Sequence, residues 1–290
     1  MGFLPRDPRL LQIASLAGIL TYGVGWRGLE VEPIFVPAIL GVALLTQWVY
    51  TRRESRFDPR SALISALSLC LLFRATHLGW AVLAAVIAIA SKFTLRVRGK
   101  HLFNPTNLAV TALMLASDQV WVSPGQWGSA PLIALLMAGA GTMVVTRAAR
   151  ADVTIAFAAF YAAILFGRAH WLGQPWATPL NQLQSGALVL FSFFMITDPR
   201  TTPDSRAGRI LFSALVAAGA GSVQFLLYRP NGLLWSLVAC SLLVPLIDRL
   251  LPGKRYAWQG VAPAVGAART AQPGAIAVPA PAMSTARMNS

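Results

Sequence analysis

The stretch Phe103-Asn104-Pro105-Thr106-Asn107-Leu108 has a counterpart later in the chain, Tyr228-Arg229-Pro230-Asn231-Gly232-Leu233. Both stretches have an aromatic residue, a proline two positions later and a leucine, at an offset of 125 residues. Ser61-Ala62-Leu63-Ile64 and Gly186-Ala187-Leu188-Val189 are aligned at the same offset without a gap. The constant offset indicates an internal repeat. The competing interpretation is a chance alignment of two apolar strings.

The composition around these landmarks is that of a membrane protein. The chain has 290 residues, of which 56% are hydrophobic and only 12% are charged, whereas soluble domains carry about 25% charged residues. Apolar runs close to 18 residues recur, and each is about long enough to cross a bilayer. We therefore predict an all-α polytopic membrane protein with about ten transmembrane helices. The predicted spans are 10–28, 33–51, 61–75, 78–95, 105–117, 129–146, 153–170, 184–197, 209–227 and 231–251.

The distribution of basic residues predicts the orientation of these spans. The net charge of +14 could suggest nucleic acid, but Lys and Arg occur in short clusters between apolar runs, as in cytoplasmic loops. With the N-terminus inside, 18 of the 24 basic residues fall on the inside, 4 outside and 2 in the C-terminal tail. We therefore expect both termini in the cytoplasm, the lipid bilayer as partner, and no nucleic-acid partner.

The repeat and the orientation together predict two inverted halves. Five spans separate the two copies, and an odd number places the second copy upside down in the membrane. The predicted organisation is a cytoplasmic N-terminus (1–9), a first five-helix repeat (10–128), a second inverted five-helix repeat (129–252) and a disordered Ala/Pro-rich cytoplasmic tail (253–290). Sites in such proteins tend to lie at the repeat interface.

The first candidate site is the polar segment 92–107. It contains several cations and ends in Asn104-Pro105-Thr106-Asn107, where Pro105 at the first helical position makes Asn104 the N-cap. A helix N-terminus beside Lys and Arg attracts anions. The alternative interpretation is a capped helix behind an ordinary cytoplasmic loop.

The second candidate site is segment 197–204, which follows the short eighth span. Asp198 lies near the membrane boundary, where an unpaired acid is costly, and Arg200 is its nearest possible partner. Thr197 and Thr201 offer hydroxyls to a polar ligand. The alternative interpretation is a helix stop followed by a rigid turn.

Other residues are given structural interpretations. No catalytic set and no metal-binding spacing is predicted, and His77, His101 and His170 are interpreted as solvated loop residues. Cys70 and Cys240 lie in apolar runs, which favours small buried side chains without a disulfide. The glycines at 219, 221 and 232 are expected to permit close helix packing.

Four stretches resemble the RnfD/NqrB family, the membrane subunits of the Rnf and Na⁺-translocating NADH:quinone oxidoreductase complexes. They are Asp7-Pro8-Arg9, the segment 61–67, Gly99-Lys100-His101-Leu102-Phe103-Asn104-Pro105 and Phe193-Phe194-Met195-Ile196-Thr197-Asp198-Pro199. The resemblance extends over about residues 5–252. It implies ten helices in two inverted halves, a bacterial-type inner membrane, other membrane or redox subunits as partners, and electron transport through a flavin, either FMN or riboflavin.

The resemblance also suggests the cofactor-binding residues, with Phe103, Phe193 or Phe194 packing on the flavin ring. The expected set is Lys100, Phe103, Asn104, Pro105, Thr106, Asn107, Ser185, Thr197, Asp198, Pro199, Arg200 and Thr201.

One departure from the family affects how the flavin is held. Family members commonly attach FMN to a Thr within Ser-Gly-Ala-Thr, between the fifth and sixth spans, but segment 117–129 contains no Thr. The chain's Ser185-Gly186-Ala187 precedes a leucine and lies on a different span. We therefore expect a non-covalent flavin. The alternatives are a small-solute channel or transporter, and a redox-inactive membrane anchor for a partner protein.

Overall fold

The computed structural model describes residues 7–26, 28–53, 57–122 and 131–256. The predictions for residues 1–6, for residues 257–290 of the tail and for residues 123–130 of the connection between the fifth and sixth spans lie outside these ranges.

The described chain is almost entirely helical. The helices are α1 (Pro8–Trp26), α2 (Phe35–Thr51), α3 (Arg60–Leu72), α4 (Leu78–Thr94), α5 (Pro105–Ala116), α6 (Pro131–Arg147), α7 (Ala151–Trp171), α8 (Ala177–Leu183), α9 (Gly186–Leu190), α10 (Arg206–Phe225), α11 (Gly232–Ser241) and α12 (Val244–Leu250). A π-helical segment, Phe191–Met195, continues α9. The short strands are β1 (Phe73–Ala75), β2 (Arg96–Val97), β3 (Lys100–His101) and β4 (Val120–Val122).

Every predicted span contains a helix or a pair of helices, which confirms the helical class. The eighth span is α9 with its π-helical continuation, and the tenth is α11 and α12, which are bent by 52° relative to each other. Within the described ranges, α7 and α10 are long and apolar enough to cross a membrane singly, and α11 with α12 passes as a bent pair. Other apolar helices are shorter. The crossing of a membrane by ten spans therefore stays a prediction.

Helix packing follows a similar order in the two halves. In the first half, α1 and α2 pack on α3, α2 packs on α4, and α4 packs on α5. In the second half, α6 packs on α9, α7 contacts the π-helical segment and packs on α10, and α10 packs on α11. Contacts of α1 with α6 and of α5 with α11 join the halves. The polar N-terminus of α5 therefore lies where the halves meet.

Two hairpin-like pairings close the ends of the first half. β1 pairs antiparallel with β4, and β2 pairs antiparallel with β3. The turn between β2 and β3 contains Arg98 and Gly99, both with positive φ (53° and 76°), as two-residue hairpin turns require. In this register Arg96 lies directly opposite His101. The hairpin thus brings two polar side chains together at the end of α4.

The glycines in α10 and α11 permit close packing, as the sequence predicted. A Cβ at Gly219 would overlap the Ser236 hydroxyl of α11, and one at Gly221 would lie 3.0 Å from Ile164 of α7. A Cβ at Gly232 would lie 2.7 Å from the backbone oxygen of Ala220. These helices therefore approach one another more closely than larger residues would permit. The prediction for Cys70 and Cys240 is also confirmed, since both are buried free thiols.

We predict that Gly232→Val destabilises the protein by about 1–3 kcal/mol, because the new side chain meets the α10 backbone, which cannot rotate away. Thermal unfolding of the detergent-solubilised protein measures the effect. Gly167→Val in α7 is the control, since a Cβ there meets no other atom within 4 Å. Equal melting temperatures for the two variants would contradict the close approach of α10 and α11.

Candidate functional site

The two polar clusters predicted from the sequence meet at one cavity of about 360 Å³. Its walls come from α1, α2, α3, α4, the β2–β3 hairpin and the start of α5 in the first half, and from α6, the π-helical segment and the turn after it in the second. Small-molecule sites commonly have volumes of about 300–1,000 Å³. The lining residues used below are Arg9, Gln47, Thr51, Asp58, Ser61, Ile64, Ser65, Ser68, Lys92, Phe93, Arg96, His101, Asn104, Pro105, Thr106, Val144, Phe194, Met195, Thr197, Asp198, Pro199 and Arg200.

Asn104 connects the two clusters directly. Its Oδ1 accepts the backbone N–H of Asn107 at 3.0 Å, so the predicted N-cap is confirmed. Its Nδ2 donates to the backbone oxygen of Met195 at 3.2 Å. One buried amide thus caps α5 and binds the π-helical segment of the other half. Of the predicted set, Asn104, Pro105, Thr106, Thr197, Asp198, Pro199 and Arg200 line the cavity.

The other five predicted residues do not line this cavity. Lys100 Nζ instead binds the Asp204 and Asp248 carboxylates, at 3.0 and 2.8 Å. Asn107 lies one turn into α5, where its Nδ2 donates to the backbone oxygen of Leu234 at 3.0 Å. The remaining three are Phe103, Ser185 and Thr201. Lys100 and Asn107 therefore join the first half to the second, beside the cavity.

The turn after the π-helical segment is stabilised mainly by its own backbone. Arg200 contacts the Asp198 carboxylate through its backbone N–H, at 3.0 Å, while the arginine side chain is exposed. Thr197 and Thr201 donate their hydroxyls to the backbone oxygens of Phe193 and Asp198. These hydroxyls are therefore already used, contrary to the expectation that they would bind a ligand. Burial raises the pKa of Asp198 despite the opposing effects of the Arg200 amide and nearby cations.

A polar stripe on α3 forms one wall, and the sequence analysis did not single it out as a site. Ser61, Ile64, Ser65 and Ser68 follow the spacing of one helical face. With a rise of about 1.5 Å per residue, the stripe extends roughly 10 Å along the helix. Serines recurring at this spacing in an otherwise apolar helix are the signal that could have identified the wall.

The buried cation of α4 is bound to this stripe. The Lys92 side chain is almost fully buried, and its Nζ donates to the backbone oxygen and the hydroxyl of Ser61, at 2.6 and 3.0 Å. An ammonium group has three N–H donors. Two hydrogen bonds to Ser61 leave one donor for another group at the cavity.

Gln47 is a polar residue of the cavity wall that the sequence analysis missed. Its side chain is 93% buried, and its Oε1 has no hydrogen-bond partner among the described residues. A buried acceptor without a donor costs about 1–3 kcal/mol. Within α2 this residue follows an apolar run, so nothing in the sequence pattern marks it. The cavity therefore contains an amide suited to a ligand that donates a hydrogen bond.

His101 is not the solvated loop residue that the sequence suggested. It lines the cavity, half-buried, opposite Arg96 in the β2–β3 hairpin. Burial, together with the charges of Arg200, Arg96 and Lys92, lowers the pKa of His101 to about 3. The imidazole is therefore neutral at physiological pH. His77 and His170 are exposed, as expected.

An ion-pair network lies at the edge of the cavity where α1 begins. Arg9 binds Asp7 and Asp58 at 2.8 and 2.7 Å, and Arg60 also binds Asp7. Burial would raise the pKa of Asp7, but hydrogen bonds from Arg9 and Arg60 outweigh it and lower that pKa. The network attaches the start of α1 to the start of α3. The charge of Arg9 is therefore already balanced by carboxylates.

The helical bundle and its charged internal cavity define the class of protein, a helical membrane subunit with a polar ligand site between two halves. A family model described as the NQR2, RnfD, RnfE family matches residues 118–257. This match places the chain in that family, and the resemblance drawn from the four sequence stretches is confirmed.

Curated relatives agree with the assignment over shorter segments. The chain is 38% identical over 89 residues to the RnfD subunit of the ion-translocating oxidoreductase complex of Tolumonas auensis, covering 30% of this chain and 26% of the relative. It is 32% identical over 108 residues to the same subunit of Erwinia tasmaniensis, covering 37% and 30%. For Shewanella amazonensis the match is 34% over 84 residues, covering 29% and 24%. These matches span about a quarter to three tenths of the relatives' length.

We predict that Asn104→Ala lowers stability by about 1–3 kcal/mol, since it removes the α5 cap and leaves the Met195 oxygen without its donor. Asn181→Ala is the control, because Asn181 is exposed on α8. Thermal unfolding measures both variants. A neutral Asn104→Ala variant would show that this amide does not join the halves.

We also predict that His101 makes stability depend on pH. The unfolded chain binds the proton near the ordinary pKa of 6.5 and the folded chain only near 3, so stability is lost as the pH falls between these values. The melting temperature should drop more for the wild type than for His101→Asn between about pH 7 and about pH 5. His77→Asn should behave like the wild type. Equal pH dependence in all three proteins would refute the buried, neutral state of His101.

Proposed function

We propose that this protein is an RnfD-like subunit of a membrane electron-transport complex, and that it binds a flavin non-covalently in the 360 Å³ cavity. The observation that supports this proposal most is the convergence of two family-like stretches, around Asn104 and Asp198, on one cavity. A bound flavin supplies one- and two-electron transfer. The residues of this chain bind it, orient it and exclude water.

The chemistry of the walls fits an isoalloxazine ring. Phe93, Phe194, Ile64 and Val144 provide apolar surface for the ring system. The ring edge has an N–H donor and carbonyl acceptors. Gln47 Oε1 is a buried acceptor without a protein donor, and it suits that N–H group. The hydroxyls of Ser65 and Ser68 lie on the same helical stripe and suit the carbonyl groups.

The threonines of the cavity support non-covalent attachment. Three threonines line it, and each hydroxyl donates to a backbone oxygen: Thr51 to Gln47, Thr106 to Ser65, and Thr197 to Phe193. A covalent phosphoester would require one of these hydroxyls to leave its hydrogen bond. Together with the absence of Thr from segment 117–129, this favours a flavin that dissociates upon unfolding.

We further propose that the chain spans a bacterial-type inner membrane ten times, as two inverted halves with cytoplasmic termini. The similar packing order of the two halves supports the repeat. Exposed aromatic residues support the orientation, since all lie towards the predicted outer ends, as in an interfacial aromatic belt. They are Trp26, Trp121, Trp171, Trp176 and Tyr228. Other subunits of the complex are the proposed partners.

The direct test is the visible absorption spectrum of the purified protein, recorded before and after denaturation and filtration. The proposal predicts a flavin spectrum that passes into the filtrate, with no fluorescent band in a denaturing gel. A colourless protein from cells supplied with riboflavin would overturn the flavin assignment. A fluorescent band that survives denaturation would overturn the non-covalent attachment.

We predict that Gln47→Leu reduces the bound flavin, with affinity falling about tenfold for the loss of one hydrogen bond of roughly 1.4 kcal/mol. Gln182→Leu is a matched control, because Gln182 also has a buried Oε1 without a partner in the described structure but does not line the cavity. The ratio of flavin to protein measures the effect. Equal losses in the two variants would exclude Gln47 as a flavin contact.

A further inference from the structure

We propose that the mouth of this cavity, formed by Lys92, Arg96 and Arg200, binds a phosphate monoester, so that the cofactor is FMN and not riboflavin. This inference rests on the proposed flavin site and specifies which flavin the site selects.

The first argument is charge balance. Lys92, Arg96 and Arg200 line the cavity, and none has a carboxylate within ion-pair distance among the described residues. The other acid of the lining, Asp58, is already bound to Arg9 and Arg60. Asp198 is therefore the acid available to the three cations. The mouth carries a surplus of about two positive charges, and a phosphate monoester carries about −1.5 to −2.

The second argument is the convergence of the cations. Arg96 lies opposite His101 across the β2–β3 pair, where facing Cβ atoms are about 4.5–5.5 Å apart. The charges of Arg200, Arg96 and Lys92 all act on this same imidazole. The three cations therefore surround one point of the cavity, reached from α4, from the hairpin and from the turn after the π-helical segment.

The third argument is that each of these groups is positioned. Arg96 Nε donates to the backbone oxygen of Lys92, and its guanidinium lies over the Phe93 ring, 5.2 Å from the ring centroid. Lys92 is held by Ser61 and has one N–H donor left. The backbone of Arg200 is tied to Asp198. A phosphate would meet cations that are already oriented, which lowers the entropic cost of binding.

The fourth argument is the gradient of polarity along the cavity. Arg96 and Arg200 are exposed, whereas Gln47, Ser65 and Ser68 are buried. The N-terminus of α5 also forms part of the wall, and its positive dipole end favours an anion. Charged donors at the rim and an uncharged polar and aromatic interior match a molecule with a phosphate at one end and a planar ring at the other.

The test compares two ligands that differ by one phosphate. The full-length protein, cleared of flavin and reconstituted in phosphatidylcholine nanodiscs, is titrated with FMN and with riboflavin, followed by flavin fluorescence. We expect FMN to bind at least about tenfold more tightly, with an advantage that shrinks at high salt. In the variant Arg96→Gln/Arg200→Gln, FMN affinity should fall to that of riboflavin, and riboflavin affinity should stay unchanged.

The matched control is Arg206→Gln, because Arg206 is exposed at the start of α10 and does not line the cavity. It should retain the preference for FMN. Equal affinities for FMN and riboflavin in the wild type would overturn this inference while leaving the proposed flavin site intact. A loss of both ligands in the double variant, with a lowered melting temperature, would show that the arginines are structural and would also overturn it.

Two further arms identify other sources of the phosphate group. If inorganic phosphate raises the melting temperature of the wild type and neither flavin binds, the proposed function fails, and so does the assignment to FMN. If phosphatidylglycerol in the nanodisc abolishes FMN binding to the wild type, a lipid headgroup occupies the cations and the FMN assignment is overturned. FMN binding that is unaffected by phosphatidylglycerol supports the inference.

Discussion

The rest of the candidate site depends on the pair of hydrogen bonds made by the buried side chain of Asn104. Its carbonyl caps α5 and its amide donates to the backbone of the π-helical segment in the other half. Buried polar groups are tolerated in a helical bundle only when they are satisfied. Asn104 therefore ties the two halves together and positions the polar start of α5 beside the turn at Asp198.

This constraint explains why a cavity with charged walls can exist among apolar helices. The Lys92 ammonium is buried but bound to Ser61, and Arg9 is buried but bound to two carboxylates. Each charge is kept in place by a partner on a neighbouring element, so the cavity is preorganised. Gln47 Oε1 is the exception, and an unsatisfied acceptor of this kind is characteristic of a site completed by a ligand.

Much of the fold and part of the candidate site could be predicted from the sequence. Apolar periodicity located the helices, and Pro105 after Asn104 located a helix start that the structure confirms. Gln47, the α3 serine stripe and His101 were missed because they lie far apart in the chain and within ordinary local patterns. Lys100 shows the opposite error: a cation beside a helix N-terminus suggested a ligand contact, but Asp204 and Asp248 bind it.

By itself, the sequence determined the helical class, the helix boundaries near Pro and Gly, and membership of the NQR2, RnfD, RnfE family, because these follow from composition, local spacing and motifs. Only the tertiary structure decided which polar residues share one cavity. Contacts such as those of Asn104 with Met195 and Lys92 with Ser61 depend on helix crossing and rotation. These are set by packing between distant segments, which local residue patterns do not encode.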